Sequence, residues 1–216
     1  MRLQPGARVE LFDGVGVAAD GIVENAGPDA TRVRVIDVQQ AQTESPVAIT
    51  LVQAVPVKFQ RLDAIVRLCT ELGVAEILPV VSAHTQLPAA GLEVLERRVE
   101  RWRRIAESAT KQSGRATVPK ICAVVAFGDM NWSNLSRTRF LLEPTARTSL
   151  AAELGASRRE SCALLVGPEG GWDDDERELA CEQGVSEVTM GPRVLRADSA
   201  GPVALALVQA AWGDLD

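Results

Sequence analysis

From Val47 onward, short apolar runs of strand length alternate with stretches of helical periodicity, and this order decides the fold class. Val47 to Val55 reads as a strand. The spacing then predicts a helix over 58–72, with Leu62, Ile65, Val66, Cys69 and Leu72 on one stripe. Gly73 follows where a helix commonly ends in the left-handed conformation. Residues 76–81 form the next strand, and a long helix over 92–113 closes at Gly114. Strands at 120–126, 138–142, 162–166 and 186–190, with helices near 148–154, 173–183 and 200–212, complete the series. Strand-then-helix order predicts an α/β fold: a mainly parallel sheet covered by helices on both faces. Ligands of such sheets gather beyond the C-terminal ends of the strands.

The first residues obey another pattern. Arg8-Val9-Glu10-Leu11-Phe12 precedes the turn Asp13-Gly14, Arg32 to Val38 alternates with period two, and Asn25-Ala26-Gly27-Pro28 punctuates between them. A small β domain over 1–56 and an α/β domain over 57–216 are therefore expected. The opening Met1-Arg2-Leu3-Gln4-Pro5-Gly6 has no apolar core of a secretory signal, and Ala200 to Trp212 is too short to span a bilayer. A cytoplasmic protein without membrane association is expected. Cys69, Cys122, Cys162 and Cys181 lie singly within apolar segments, which predicts buried reduced thiols rather than disulfides or a zinc site. His84 is the sole histidine, so neither a histidine metal cluster nor a Ser-His-Asp triad is expected. With a net charge of −6, any nucleic-acid contact must rest on a local basic face.

Chemistry concentrates in three loops just past strands. Gly167-Pro168-Glu169-Gly170-Gly171-Trp172 joins the apolar run Ala163 to Val166 to the acidic helix start Asp173-Asp174-Asp175-Glu176. Glycine lets a backbone approach a ligand closely, but Glu169 and the adjoining aspartates should repel phosphate and tolerate a neutral or cationic ligand. The others are Leu142-Glu143-Pro144-Thr145 and the stretch from Met190 to Ser199. If their strands are neighbours, the three loops form one crevice. Val194 and Leu195 are expected to pack inward and bring Arg193 or Arg196 to it, where a guanidinium stabilises anionic charge on a substrate. Asp198 and Ser199 suit an N-cap and a functional role equally.

The helix over 92–113 carries Arg97, Arg98, Arg101, Arg103, Arg104 and Lys111, with Arg115 beyond its end. Glu93 and Glu100 stand four residues before Arg97 and Arg104, the spacing of intrahelical ion pairs on a solvated face. The balance is nonetheless basic within an acidic chain and suits a phosphate backbone. The final helix is apolar nearly all round, which fits a central core helix or a subunit interface.

Together, Thr70-Glu71-Leu72-Gly73-Val74, Arg101-Trp102 with Ile105-Ala106, Lys111-Gln112-Ser113-Gly114-Arg115, the loop 167–171 and Gly191-Pro192-Arg193-Val194-Leu195-Arg196 carry a resemblance. In this order and spacing the chain resembles the RsmE family of ribosomal RNA methyltransferases, in the SPOUT superfamily. The resemblance implies S-adenosylmethionine-dependent methylation of uridine N3 in small-subunit (16S) ribosomal RNA. It also implies a homodimer acting on the 30S subunit or its RNA, a C-terminal trefoil knot and a PUA-like N-terminal module, here incomplete at its start. By the same resemblance Leu142, Glu143, Pro144, Val166, Gly167, Glu169, Gly170, Gly171, Met190, Gly191, Val194, Leu195 and Arg196 are expected to bind the cofactor. Arg196 and Asp198 are the expected catalytic residues, and Arg101, Arg104, Lys111, Gln112 and Arg115 the expected RNA contacts. Arg196 would stabilise charge spreading onto the uracil oxygens, while Asp198 would orient Arg196 or accept the proton. The chain departs from the family at Ala83-His84-Thr85 and Ala197-Asp198-Ser199, which keeps two alternatives open. One is a non-catalytic RNA-binding or ribosome-assembly protein on this fold, the other a SPOUT methyltransferase acting on another RNA.

Overall fold

The computed structural model describes residues 3–58, 60–86 and 92–215. Two compact units divide the chain: Met1–Glu44 with Thr110–Val118, and Ser45–Ala109 with Pro119–Asp216. The boundary falls before the expected one at 56. The strand after Val47 belongs to the larger unit, because its nearly unbroken apolar sequence suits a sheet covered on both faces.

The smaller unit is an antiparallel sheet of β1 (Arg8–Phe12), β2 (Val17–Ala26) and β3 (Thr31–Gln40) in that order. Gly14 and Val15 bridge to Thr117. Glu44 fastens the 110–118 segment: its carboxylate accepts from the amides of Ala116 and Thr117 and from the Arg115 guanidinium at 2.8 Å.

The larger unit holds β4 (Ala48–Ala54), α1 (Gln60–Glu71), β5 (Glu76–Val81), α2 (Leu92–Ser113) as far as Ala109, β6 (Lys120–Ile121), β7 (Val125–Ala126) and β8 (Arg139–Leu142). It continues through α3 (Leu150–Ala156), β9 (Ser161–Val166), α4 (Asp174–Glu182), β10 (Ser186–Val188) and α5 (Ala197–Trp212). Its sheet runs β10-β8-β9-β4-β5-β6, with β7 also beside β5, and every pairing is parallel. The inner strands β4 and β9 are almost wholly buried. One face packs Val52, Leu141 and Leu165 against Phe127, Trp132 and Trp172. From edge strand β10 the chain returns to α5, which packs on β9, β4, α1 and α3. The Trp212 indole N–H fastens the helix end by donating to the Leu154 carbonyl at 2.8 Å.

Several local readings shift. The strand expected over 120–126 is two short strands, and that over 186–190 ends at Val188. Phe59, in the first turn expected of α1, lies outside the described residues. α5 starts about a turn before the expected residue 200, and Pro202 sits inside the helix. Cys69 and Cys162 are buried as expected, but Cys122 is half-buried and Cys181 exposed. Burial pushes the Cys162 thiol up to about 12, and burial followed by the Glu76 hydrogen bond pushes Cys122 up to about 11. No helix among the described residues is long and apolar enough to cross a membrane.

Candidate active site

Because β10, β8 and β9 are adjacent and parallel, the loops after them leave the sheet at one edge and meet. They enclose a cavity of about 750 Å³, ample for a small-molecule cofactor. Leu142, Glu143, Pro144, Val166, Gly167, Glu169, Gly170, Gly171, Met190, Val194, Leu195 and Arg196 all line it. Gly191, the remaining expected residue, has φ +104° and stands in the same loop without lining the cavity. Val194 does not pack inward as expected; it is 77 % exposed at the rim, while Leu195 is half-buried.

The glycine loop owes its composition partly to close packing. A Cβ on Gly167 would stand 3.3 Å from the Gly171 carbonyl carbon and from the Trp172 ring nitrogen. One on Gly170 would meet the His84 Cβ at 2.9 Å, too close without displacing it. At Gly171 the backbone is left-handed (φ +75°) and a Cβ would meet open space, so there the need for glycine is conformational. The His84 Nδ1 lies 3.1 Å from the Gly171 carbonyl. Trp172 is buried against Phe127, ring centroids 4.8 Å apart, and its indole N–H is buried with no hydrogen-bond partner among the described residues.

The charges differ from the expectation. Glu169 does not confront the cavity as a bare carboxylate: it pairs with Arg61 and accepts from the Val57 amide at 3.0 Å. Asp173 caps its own helix, and Asp174 is fully solvated. Four arginines (61, 177, 193 and 196) and two glutamates (143 and 169) line the cavity. Repulsion of phosphate by loop carboxylates therefore does not describe this site. Mixed charge beside an apolar floor of Leu142, Val166 and Met190 suits a zwitterion joined to an aromatic base.

Asp198 is no cap. Arg196 holds the N-cap position of α5 and makes no capping bond. The Asp198 carboxylate instead stands 3.8 Å from the Arg61 Nε and 3.7 Å from the Arg196 Nε, with its Oδ1 accepting from Ser199 at 3.3 Å. Arg61, Arg177 and Thr189 line the cavity without having been foreseen, and Trp172 does so at the end of the expected loop. Arg61 was readable in principle, because α1 starts at the C-terminal end of β4, next to β9 in the sheet.

The basic helix divides. Arg101 is committed to Asp63 at 2.8 Å, and Asp63 also accepts from the Trp102 indole at 3.1 Å. Arg115, far from facing solvent, is buried in its pair with Glu44 inside the smaller unit, which corrects its expected place on an RNA face. Arg104, Lys111 and Gln112 are exposed. Glu100 pairs with Arg103, not with Arg104 as the spacing suggested, and the side chain of Glu93 lies outside those described.

The RNA methyltransferase domain family matches residues 43–209 of the chain. The chain is 32 % identical over 215 residues to ribosomal RNA small subunit methyltransferase E of Synechocystis, covering 97 % of this chain and 68 % of that protein. It is 33 % identical over 215 residues to the protein of that name in Mycobacterium bovis, covering 96 % and 79 %. The crystal structure of a ribosomal RNA small subunit methyltransferase E from Neisseria gonorrhoeae bound to S-adenosyl methionine superposes with a TM-score of 0.87 at 31 % identity. That superposition covers 99 % of this chain and 87 % of the other.

Proposed function

The chain belongs to the small-subunit ribosomal RNA methyltransferase E family, and on that premise we propose that it transfers a methyl group from S-adenosylmethionine to N3 of a uridine in small-subunit ribosomal RNA. The observation that carries this reading is the single cavity at three strand ends, which joins bare glycine backbone, apolar floor and charges of both signs. The residues fit the cofactor: the volume suffices, arginines suit its carboxylate, and Glu143 offers a carboxylate to a cationic group. Leu142, Val166, Gly167, Gly170, Gly171, Met190 and Leu195 would hold it. Bound there, it supplies an electrophilic methyl group on a sulfonium.

The protein's task is to make uridine N3 nucleophilic and to aim it. Arg196, largely exposed at the rim, is placed to receive the negative charge that spreads onto the uracil oxygens as N3 loses its proton. Asp198, between two guanidiniums, has the contacts of a group that orients Arg196. Holding the base against the donor contributes much of the remaining acceleration. Arg104 in the larger unit, and Lys111 and Gln112 in the smaller, are the exposed candidates for RNA contacts. A homodimer closing over α5 belongs to the same reading, supported by Val203, an apolar side chain 40 % exposed on a mostly apolar helix. Sedimentation at micromolar protein checks it, and a monomer there removes it. A cytoplasmic location follows from the proposed substrate.

Arg196→Ala is expected to keep S-adenosylmethionine affinity within a few-fold by calorimetry while lowering methyl transfer by roughly 10²–10³. Equal loss of both would make Arg196 a cofactor-holding residue. Nucleosides of small-subunit RNA from a deletion strain, read by mass spectrometry, should lack N3-methyluridine; its persistence would overturn the assignment.

A further inference from the structure

Arg61 lies outside the three loops, on the first turn of α1, yet lines the cavity. It stands 108 residues from Glu169 in sequence, and its side chain is only 24 % exposed. One arm of its guanidinium hydrogen-bonds the Glu169 carboxylate. Its Nε faces Asp198 at 3.8 Å, and the other Asp198 oxygen faces the Arg196 Nε at 3.7 Å. The second Glu169 oxygen accepts from the Val57 amide at 3.0 Å. A continuous line of charge thus runs from the end of β4 through the glycine loop and Arg61 to Asp198 and Arg196.

Stability alone is a poor account of this arrangement. Partly exposed ion pairs contribute little net stability, and no side chain caps the α5 start to which Asp198 belongs. What the line does is fix geometry. A planar fork with five donors engages two carboxylates in different directions, whereas an ammonium is a point charge on a flexible stem.

We propose that Arg61 is a positioning residue, holding Glu169 to fix the glycine loop and holding Asp198 to fix the guanidinium of Arg196 at the rim. This rests on the methyltransferase reading above. Arg61 touches no reacting atom; it acts through the other three residues.

The test is a double-mutant cycle in the full-length protein, with hydrogen exchange of the same variants without cofactor. Arg61→Lys keeps the charge and spares folding. It is expected to lower kcat by about tenfold to a hundredfold, the scale of a small misplacement. In an Arg196→Ala background the same change should cost clearly less than in the wild type, because the branch through Asp198 to Arg196 is gone and only the branch through Glu169 to the glycine loop remains. Losses that multiply instead overturn the proposal. Exchange should quicken at residues 167–171 and 197–200 in Arg61→Lys and stay unchanged in β4 and β9. Unaltered exchange at both segments also overturns it, whatever the activity. A wild-type protein that never methylates RNA would sink the enzyme reading and leave the exchange result to judge the positioning.

Discussion

Helices α4 and α5 both begin at the cavity, and they begin differently. At α4 the Asp173 side chain accepts from the Asp175 amide at 3.1 Å while Glu176 reaches back to the Asp173 amide at 3.0 Å. This reciprocal cap, with three acids in the first turn, is made by the helix's own residues, and the other Glu176 oxygen accepts from the Ala83 amide at 2.8 Å. At α5 the N-cap residue is Arg196, and its side chain caps nothing. The acid of that first turn, Asp198, faces Arg61 and Arg196 instead of the helix amides. A terminus that satisfies itself serves stability. One whose acid faces Arg61 and Arg196 instead of the helix amides is free for the role proposed for Arg196 and Asp198.

Substitution at each start should therefore have opposite signatures. Arg196→Ala and Arg61→Lys are expected to act on turnover. Asp173→Ala should cost about 1 kcal/mol of stability through the lost cap. That corresponds to a melting-point drop of about 2–4 °C for a chain of this size. Methyl transfer measured well below the melting point should stay within about twofold of wild type. A loss of turnover that outruns the loss of stability would erase the contrast and draw α4 into the chemistry.

How far this contrast was legible in the sequence follows from the range of each interaction. The α4 start is local, an acid followed three residues later by Glu176, and its helix ends one residue inside the expected bounds at both ends. Strand and helix order was legible for the same reason: periodicity is a short-range signal, as with α2, which spans the expected 92–113. Convergence of the three loops was conditional on strand adjacency, which the order β10-β8-β9 supplies. Charge compensation was not legible. Glu169 looked like a bare carboxylate because its partner, Arg61, comes from another strand–helix unit. Arg115 looked available to RNA because Glu44, which buries its charge, lies 71 residues away. Sequence displays a charge; only the fold displays what neutralises it.

The smallest expected effect asks whether α4 keeps its structural character further along. Arg177, one turn in, reaches β10 and grips Glu187 with two parallel bonds, Nε to Oε1 at 2.7 Å and Nη2 to Oε2 at 3.0 Å. The Arg177 hydrogen bond holds the Glu187 carboxyl below the usual glutamate range, outweighing burial, which acts the other way. The unfolded chain therefore takes up this proton more readily than the folded one. The pair's contribution is complete well above the unfolded value of about 4.3 and disappears as pH falls through the lower folded value. With side chains 31 % and 33 % exposed, solvent screening keeps it below about 1 kcal/mol. Denaturant unfolding of wild type and Arg177→Gln should show a small deficit for the variant at pH 7 that closes towards pH 3. A deficit that stays constant with pH would mean that Arg177 acts by packing on the cavity wall. α4 would then share with α5 a side chain kept for the cavity rather than for the helix that carries it.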